Sequence, residues 1–274
     1  MKWEPGIDVG EFCTPIDRCV CIETGAIDPL VVGTLEKSGY DYAPVRNRGS
    51  IIGLIETWQL RAKLNDRPEL EASDQAIAHP QISSNISIDG LLDGMSRMRV
   101  ALVTRGSDAE HHGERASVLG LITTADLNQR PLRTALYRIL AWLEEELAQL
   151  IGRHFPDPPS WLKILSVDHR APLIGYWELS KQEGVDISPI AWTTLPQLLK
   201  IVGASKDLRH ALGFETGNSF DKCKGSIPDL RNRVMHPVRP LIRAFTDVPN
   251  VRATLQAMVE LGTRVERLNE VRAA

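Results

Sequence analysis

The hydrophobic period of the chain changes near residue 130. Before it, short apolar runs rich in Val, Ile and Leu lie between Gly-, Asp- and Pro-containing turns, as strands and short helices require. After it, apolar residues recur every three or four positions over long stretches, the spacing of helices that bury one face. Within the first part the pattern occurs twice. Residues 29–37 read as a helix, 42–45 as a strand, Arg48-Gly49 as a turn and 50–55 as a second strand. Residues 88–98, 100–104 and 117–122 repeat that order, with a polar loop, 105–115, between the two strands. Gly-Leu-Ile recurs at 53–55 and 120–122, each time running into a helix.

In the second part, residues 131–151 place Leu132, Leu136, Ile139, Leu140, Leu143, Leu147 and Ile151 on one stripe and Glu144, Glu145 and Glu146 mostly on the solvated side. This helix follows the second repeat with no flexible linker, so it can either pass on a movement or serve only as a joint. The Pro156-Asp157-Pro158-Pro159-Ser160 run breaks the chain, and Ser160 is expected to cap a helix that turns Trp161, Leu162 and Ile164 inward. Further helices are expected near 173–183, 195–203, 205–213, 218–235 and 247–272. The last carries Val251, Leu255, Met258, Leu261, Val265 and Leu268 as a stripe for a bundle or a partner. Trp142, Trp161, Trp177 and Trp192 read as packing residues of the core or of a dimer, not as stacking platforms for RNA.

At 274 residues, 43% of them hydrophobic, the chain is long enough for two cores, and the change of period divides it into domains 1–130 and 131–274. No apolar run approaches a membrane span, and the opening Met-Lys-Trp-Glu-Pro does not read as a signal peptide, so a soluble, cytoplasmic protein with no membrane partner is expected. Cys13, Cys19, Cys21 and Cys223 are too few and too bunched for a disulfide scaffold and read as small buried apolar residues. His111 and His112, beside Asp108 and Glu110, fall in the polar loop and read as solvated, so no metal site is expected. Charge separates the halves: residues 1–130 carry 13 Lys and Arg against 19 Asp and Glu, and residues 131–274 carry 19 against 16. Within 222–243, Lys222, Lys224, Arg231, Arg233, Arg239 and Arg243 face the single acid Asp229, either as a footprint for a polyanion or as a solvated helix face.

Candidate chemistry sits at two places. In the second repeat the strand runs into Thr123-Thr124-Ala125-Asp126. Backbone N–H groups and the dipole at a helix start favour an anion, and an Asp acceptor suits a diol; the structural alternative is a helix N-cap at Thr123 with Asp126 completing a capping box. The duplicated unit and this Thr-x-x-Asp element resemble the CBS domain. The resemblance implies an α/β pair of β-α-β-β-α-like repeats, a Bateman module holding a regulatory adenine nucleotide such as AMP, ADP or ATP. It also implies that the hydroxyls of Thr123 and Thr124 face phosphate and that Asp126 accepts from ribose, with Ile82, Ser83 and the Ala43-Pro44 strand as the adenine wall. In the first repeat Glu56-Thr57-Trp58-Gln59 stands in that place, so its own site is expected to be lost or altered.

The second place is Asp229-Leu230-Arg231-Asn232-Arg233-Val234-Met235-His236-Pro237. Arg presents a charged fork that fits phosphate oxygens and His exchanges protons near neutral pH. Five steps of roughly 100° would leave Arg231 and His236 about 140° apart on an unbroken helix, but Pro237 pushes His236 out of the helical region and suits the start of a new helix. An arginine making an ion pair and a histidine capping carbonyls would explain the same residues structurally. Arg231, Asn232 and His236, reading Arg-Asn-x-x-x-His, resemble the signature of the HEPN superfamily. That resemblance implies an all-α HEPN-like bundle, a homodimer with its site across the two-fold axis, and metal-independent endoribonuclease activity needing no cofactor. His236 is then the acid or base, Arg231 the phosphate partner and Asn232 an orienting group, with Lys222, Lys224, Arg233 and Arg239 along the RNA. A nucleotide sensor whose helical half only dimerises or binds RNA or protein fits the same residues.

Overall fold

The structure, a computed structural model, describes residues 6–105, 117–155, 158–185 and 187–273. Asp108, Glu110, His111, His112, Met1 to Pro5 and Pro156-Asp157, which the sequence singles out, lie outside the described residues. The chain forms two compact units. One holds residues 6–132 together with Ile242–Pro249; the other holds Arg133–Leu241 and residues 250–273. The segment Ile242–Pro249 thus groups with the first unit and not with its neighbours in sequence.

In the first unit each repeat begins with a short strand that the hydrophobic pattern is too brief to reveal. β1 (Gly6–Asp8) pairs with β7 (Asn85–Ser87). β3 (Ile22–Glu23) lies parallel to β4 (Tyr42–Asn47), which turns back antiparallel into β5 (Ser50–Glu56). In the second repeat β6 (Gln81–Ser83) lies parallel to β8 (Val100–Thr104), which pairs antiparallel with β9 (Val118–Thr123). The helices α1 (Pro29–Ser38) and α4 (Ile88–Arg97) fill equivalent places, between the leading and central strands. This is the duplicated α/β order that the CBS resemblance implies.

Local chemistry explains each element. Asp28 accepts the Leu30 N–H at 2.8 Å, Pro29 opens α1, and Gly39 ends it at a φ of 67°. Ser87 caps α4, whose Ile88, Leu91, Leu92 and Met95 recur at helical spacing and are all buried. Arg48 and Gly49 both take positive φ, which a two-residue hairpin turn with the right twist needs.

The repeated Gly-Leu-Ile has a joint function in the fold. β2 (Thr14–Pro15), which precedes the first repeat, pairs with β9 of the second, and Ile77, which precedes the second repeat, bridges to Leu54 of the first. Each crossing lies against a glycine. A Cβ on Gly53 would stand 2.7 Å from the Ile77 carbonyl oxygen, and one on Gly120 would overlap the Thr14 carbonyl and lie 2.7 Å from Cys13 Sγ. Leu54 and Leu121 then meet in one cluster with Val100 and Leu102, whereas Ile55 turns to the core of its own repeat.

The second unit is helical throughout its described residues. Its elements are α5 (Arg130–His154), α6 (Pro158–Leu162), α7 (Val167–Gln182), α8 (Leu195–Ala204), α9 (Lys206–Ala211), α10 (Gly217–Lys224), α11 (Ile227–Met235) and α12 (Asp247–Ala273), of which α5 and α12 begin in the first unit. The apolar stripes expected on α5 and α12 are buried except at Leu268, which is half-buried. Gly262 lets the Trp142 ring lie against α12, for a Cβ there would overlap the ring.

Several expectations change. The helix expected over 218–235 is two, because Pro228 lacks an N–H and its ring would clash with the Lys224 carbonyl. Ser160 lies inside α6 and does not cap it, and α7 starts at Val167, tolerating Pro172. Glu144 and Glu146 are half-buried, not solvated: Glu146 Oε2 accepts from Asn269 Nδ2 at 2.7 Å, and Glu144 pairs with Arg231. Trp142 and Trp161 are core residues, but α7 buries only Leu173 and Ser180 and so runs at the surface. Trp177 there carries Lys181 Nζ 3.6 Å from its ring centroid, and the exposed Trp192 stacks on Tyr176.

Gly120→Ala is expected to destabilise the chain by about 1–3 kcal/mol through overpacking against backbone, and Gly262→Ala by a similar amount against Trp142. Denaturant unfolding monitored by circular dichroism checks both; a Gly120→Ala midpoint equal to wild type would remove the close-approach account.

Candidate functional site

Thr123 closes β9, and both its N–H and its Oγ1–H donate to Asp126 Oδ2 at 2.8 Å. The other oxygen, Oδ1, accepts from Gln129 Nε2 at 2.8 Å. Asp126 therefore reaches back as the second half of a capping box does. No α-helix starts at Thr123, however. Asp126–Asn128 form one 3-10 turn, and α5 begins at Arg130, so the expected dipole at Thr123 is not there to attract an anion.

Thr123, Thr124 and Asp126 line a cavity of about 700 Å³ in the first unit. Both repeats build it through the same local device. Thr124 N–H donates to the Arg99 carbonyl at 3.0 Å, and Thr57 N–H donates to the Asp41 carbonyl at 2.9 Å, so the residue before each central strand is tied to the end of the last. Side chains at these matched places differ in charge: Asp41 in one repeat, Arg99 in the other, and both line the cavity. Arg18 adds a second cation, and Tyr42, Trp58 and Phe245 add aromatic faces. A volume of this order and a few polar groups among aromatic walls are what small-molecule sites offer.

The departure expected in the first repeat takes a specific form. Trp58 lines the cavity, and its indole N–H donates to Glu56 Oε2 at 3.2 Å. Thr57 is buried, and its hydroxyl donates to the Tyr40 carbonyl. Ile82 and Ser83, expected as an adenine wall, are not among the residues lining this cavity. β6 is the edge of its sheet farthest from β2, in the order β2-β9-β8-β6, while the cavity opens beside Thr14 and Leu121 on β2 and β9. Ile82 is instead buried beneath α4, where a Cβ on Gly94 would stand 3.2 Å from its Cδ1. Ala43 packs in the first repeat's core, and its neighbours Asp41 and Tyr42 line the cavity in its place.

Burial governs the titrating groups. It pushes the Cys19 thiol up to about 11, with Cys21 adding to the effect, and raises the Tyr42 phenol, which Glu56 raises further and Arg99 opposes. Burial raises Cys13 and Cys21 as well, but of the four cysteines expected to be buried only Cys13 is; Cys19, Cys21 and Cys223 are half-buried, and Cys21 Sγ accepts from Arg46 at 3.2 Å. Among the described residues no three His, Cys, Asp or Glu side chains converge as metal ligands would.

The Arg231–His236 segment is arranged differently from its expectation. α11 ends at Met235; His236 is its C-cap, exposed, and no helix starts at Pro237. Arg231 is half-buried with Nε 3.8 Å from Glu144 Oε1, and that Nε is buried with no hydrogen-bond partner among the described residues. Burial raises the Glu144 carboxyl and Arg231 opposes the rise. Asn232 is half-buried, and its carbonyl accepts the His236 N–H at 3.2 Å. Part of the basic footprint is spent internally. Arg233 holds Asp229 at 2.5 Å and the Leu241 carbonyl at 3.1 Å, and Lys224 holds Asp221 at 2.6 Å; Lys222 and Arg239 are exposed. Arg133, which no motif marked, donates to the carbonyls of Arg233, Val234 and Arg239, taking up the open end of α11.

No protein-family model and no curated protein matches the chain. Solved structures similar to part of it include the CBS domain of the bacterial CNNM/CorC family Mg2+ transporter in complex with ATP, 21% identical over 44% of this chain and 84% of that one, at a TM-score of 0.35. A CBS domain of a putative transporter from Clostridium difficile 630 is 20% identical over 52% of this chain and 98% of its own, at 0.37. A CBS-domain pair with bound AMP from Klebsiella pneumoniae is 16% identical over 44% and 94%, at 0.35. No helix among the described residues is long and apolar enough to cross a membrane.

A thiol pushed from 9.0 to about 11 holds about a hundredfold less thiolate at pH 8, partly offset by its greater nucleophilicity. Cys19 in the folded chain is therefore expected to react with iodoacetamide at least about tenfold more slowly than in urea. Mass spectrometry of the labelled peptide reads this, and equal rates would contradict the burial that surrounds it.

Proposed function

We propose that the first unit senses an adenine nucleotide such as AMP, ADP or ATP. The observation that carries the reading is the convergence of the Thr123–Asp126 turn, two arginines and four aromatic residues, Tyr40, Tyr42, Trp58 and Phe245, on one cavity of about 700 Å³. Arg18 and Arg99 supply the positive charge for phosphate that the absent helix terminus does not. Tyr42 or Trp58 offers a face to the base. A ribose diol would take the place that the Thr123 hydroxyl now holds on Asp126 Oδ2. The chain then keeps one composite site and not one per repeat.

For the helical unit we propose the finer reading that it cleaves RNA without a metal. Two observations favour it: His236 is exposed just beyond α11, and Arg231 Nε is buried with no hydrogen-bond partner, so its guanidinium is not fully committed to Glu144. His236 would take the 2′-OH proton or protonate the leaving 5′-oxygen, and Arg231 would exchange Glu144 for the phosphoryl oxygens. Asn232 would orient one of the two, and Lys222 and Arg239 would hold the RNA backbone. A two-fold homodimer would bring a second His236 to serve the other proton transfer.

Calorimetry with AMP, ADP and ATP is expected to detect binding that Arg99→Ala weakens by about 10–100-fold, the loss of one or two charge-assisted hydrogen bonds. Heat of binding unaltered by the substitution would remove Arg99 from the site. Generic RNA incubated in EDTA with each nucleotide is expected to be cut by the wild-type chain and left intact by His236→Ala. RNA left whole by both preparations would end the ribonuclease reading and leave a sensor whose helices dimerise or bind.

A further inference from the structure

Two of the residues lining the cavity, Ala244 and Phe245, do not come from the repeats at all. They belong to Ile242–Pro249, which lies in the first unit although Leu241 before it and Asn250 after it belong to the second. The segment is fixed there by two separate contacts. The Asn128 side chain pairs with the Ile242 backbone in both directions, Oδ1 accepting its N–H at 2.9 Å and Nδ2 donating to its carbonyl at 3.0 Å. Asn128 ends the same 3-10 turn that Asp126 begins, so one turn carries both the ribose acceptor of the proposed site and the peg for this segment. The second contact is the guanidinium of Arg99, which lies over the Phe245 ring, 5.6 Å from its centroid.

Resting on the nucleotide reading above, we infer that the C-terminal half supplies a wall of the nucleotide site, with Phe245 as its contact residue. Ligand binding is thereby coupled to that half through Ile242–Pro249. The chemistry is specific. A guanidinium can stack by its face on an aromatic ring while its edge N–H groups donate in plane. Phe245 thus holds the Arg99 charge at the cavity wall, and a phosphate that engages Arg99 tightens the segment Arg99 rests on. By reciprocity, a change in the helical unit that withdraws Ile242–Pro249 weakens the nucleotide by the factor with which the nucleotide retains the segment. The strand-helix repeats provide the turn, and the later half of the chain completes the ligand's surroundings.

The test uses the full chain. Calorimetry with AMP and with adenosine is run on the wild type, Phe245→Leu and Phe245→Ala, and hydrogen exchange at 242–249 is followed with and without AMP. Loss of the ring is expected to weaken AMP by about 3–30-fold and adenosine, which has no phosphate for Arg99, by less. Backbone amides of 242–249 are expected to gain protection on AMP binding. Phe245→Leu keeps the apolar volume and stands in if the alanine variant does not fold. A wild-type chain that binds AMP, leucine-variant affinity equal to wild type and exchange unaltered at 242–249 would overturn this inference and leave the nucleotide site standing. A wild-type chain that binds no adenine compound would overturn the nucleotide reading itself.

Discussion

The first unit depends on two places where backbone meets backbone with no room for a methyl group. At Gly53 and Gly120 the last strand of one repeat receives a segment that precedes the other repeat, and the exchange is reciprocal. The second repeat's sheet takes β2 as its outer strand, while the first repeat's three strands receive only the Ile77–Leu54 bridge. Leu54 and Leu121 are then forced into one shared cluster. The same register sets Arg99 and Asp41, at the mouths of the two central strands, around one cavity with the Thr123–Asp126 turn.

A second constraint governs the helical unit. α11 ends with open carbonyls close to several arginines, and a buried or half-buried guanidinium needs a partner. Arg133 takes the carbonyls, Arg233 takes Asp229 and Leu241, and Arg231 is left beside Glu144, whose own carboxyl is raised by burial. Part of the Arg-rich stretch is therefore internal wiring of a helix end, while Lys222, Arg239 and Arg243 stay exposed. Of the residues that the motif joins, Arg231 and His236 differ most: one is half-buried beside a carboxylate and the other is exposed past the helix terminus.

Segment Ile242–Pro249 ties these two accounts together. It follows directly on the loop braced by Arg133, and in the first unit it is gripped by Asn128 and Arg99. Phe245 lines the cavity beside residues of both repeats, although its segment comes from far along the chain.

The sequence by itself determined the duplicated unit, the position of α1, α4, β4, β5 and β8, the Arg48-Gly49 turn, and the buried stripes of α5 and α12. Each of these rests on local rules: a period of two or 3.6, a cap, a turn residue with positive φ. The Thr123–Asp126 turn was legible for the same reason. Arg99, Trp58 and Phe245 were not, since each is an ordinary residue on its own stretch and becomes a wall only when strands separated in sequence are brought side by side; an aromatic at the place of Ala125 in the other repeat was the one available hint. Nor could it place Ile82 and Ser83, whose distance from the cavity follows from strand order in the sheet, or reveal that Glu144 would be drawn from solvent to balance Arg231. Pairing partners across long stretches of chain are chosen by packing and by the need to neutralise buried charge, and those forces act only after the elements have met.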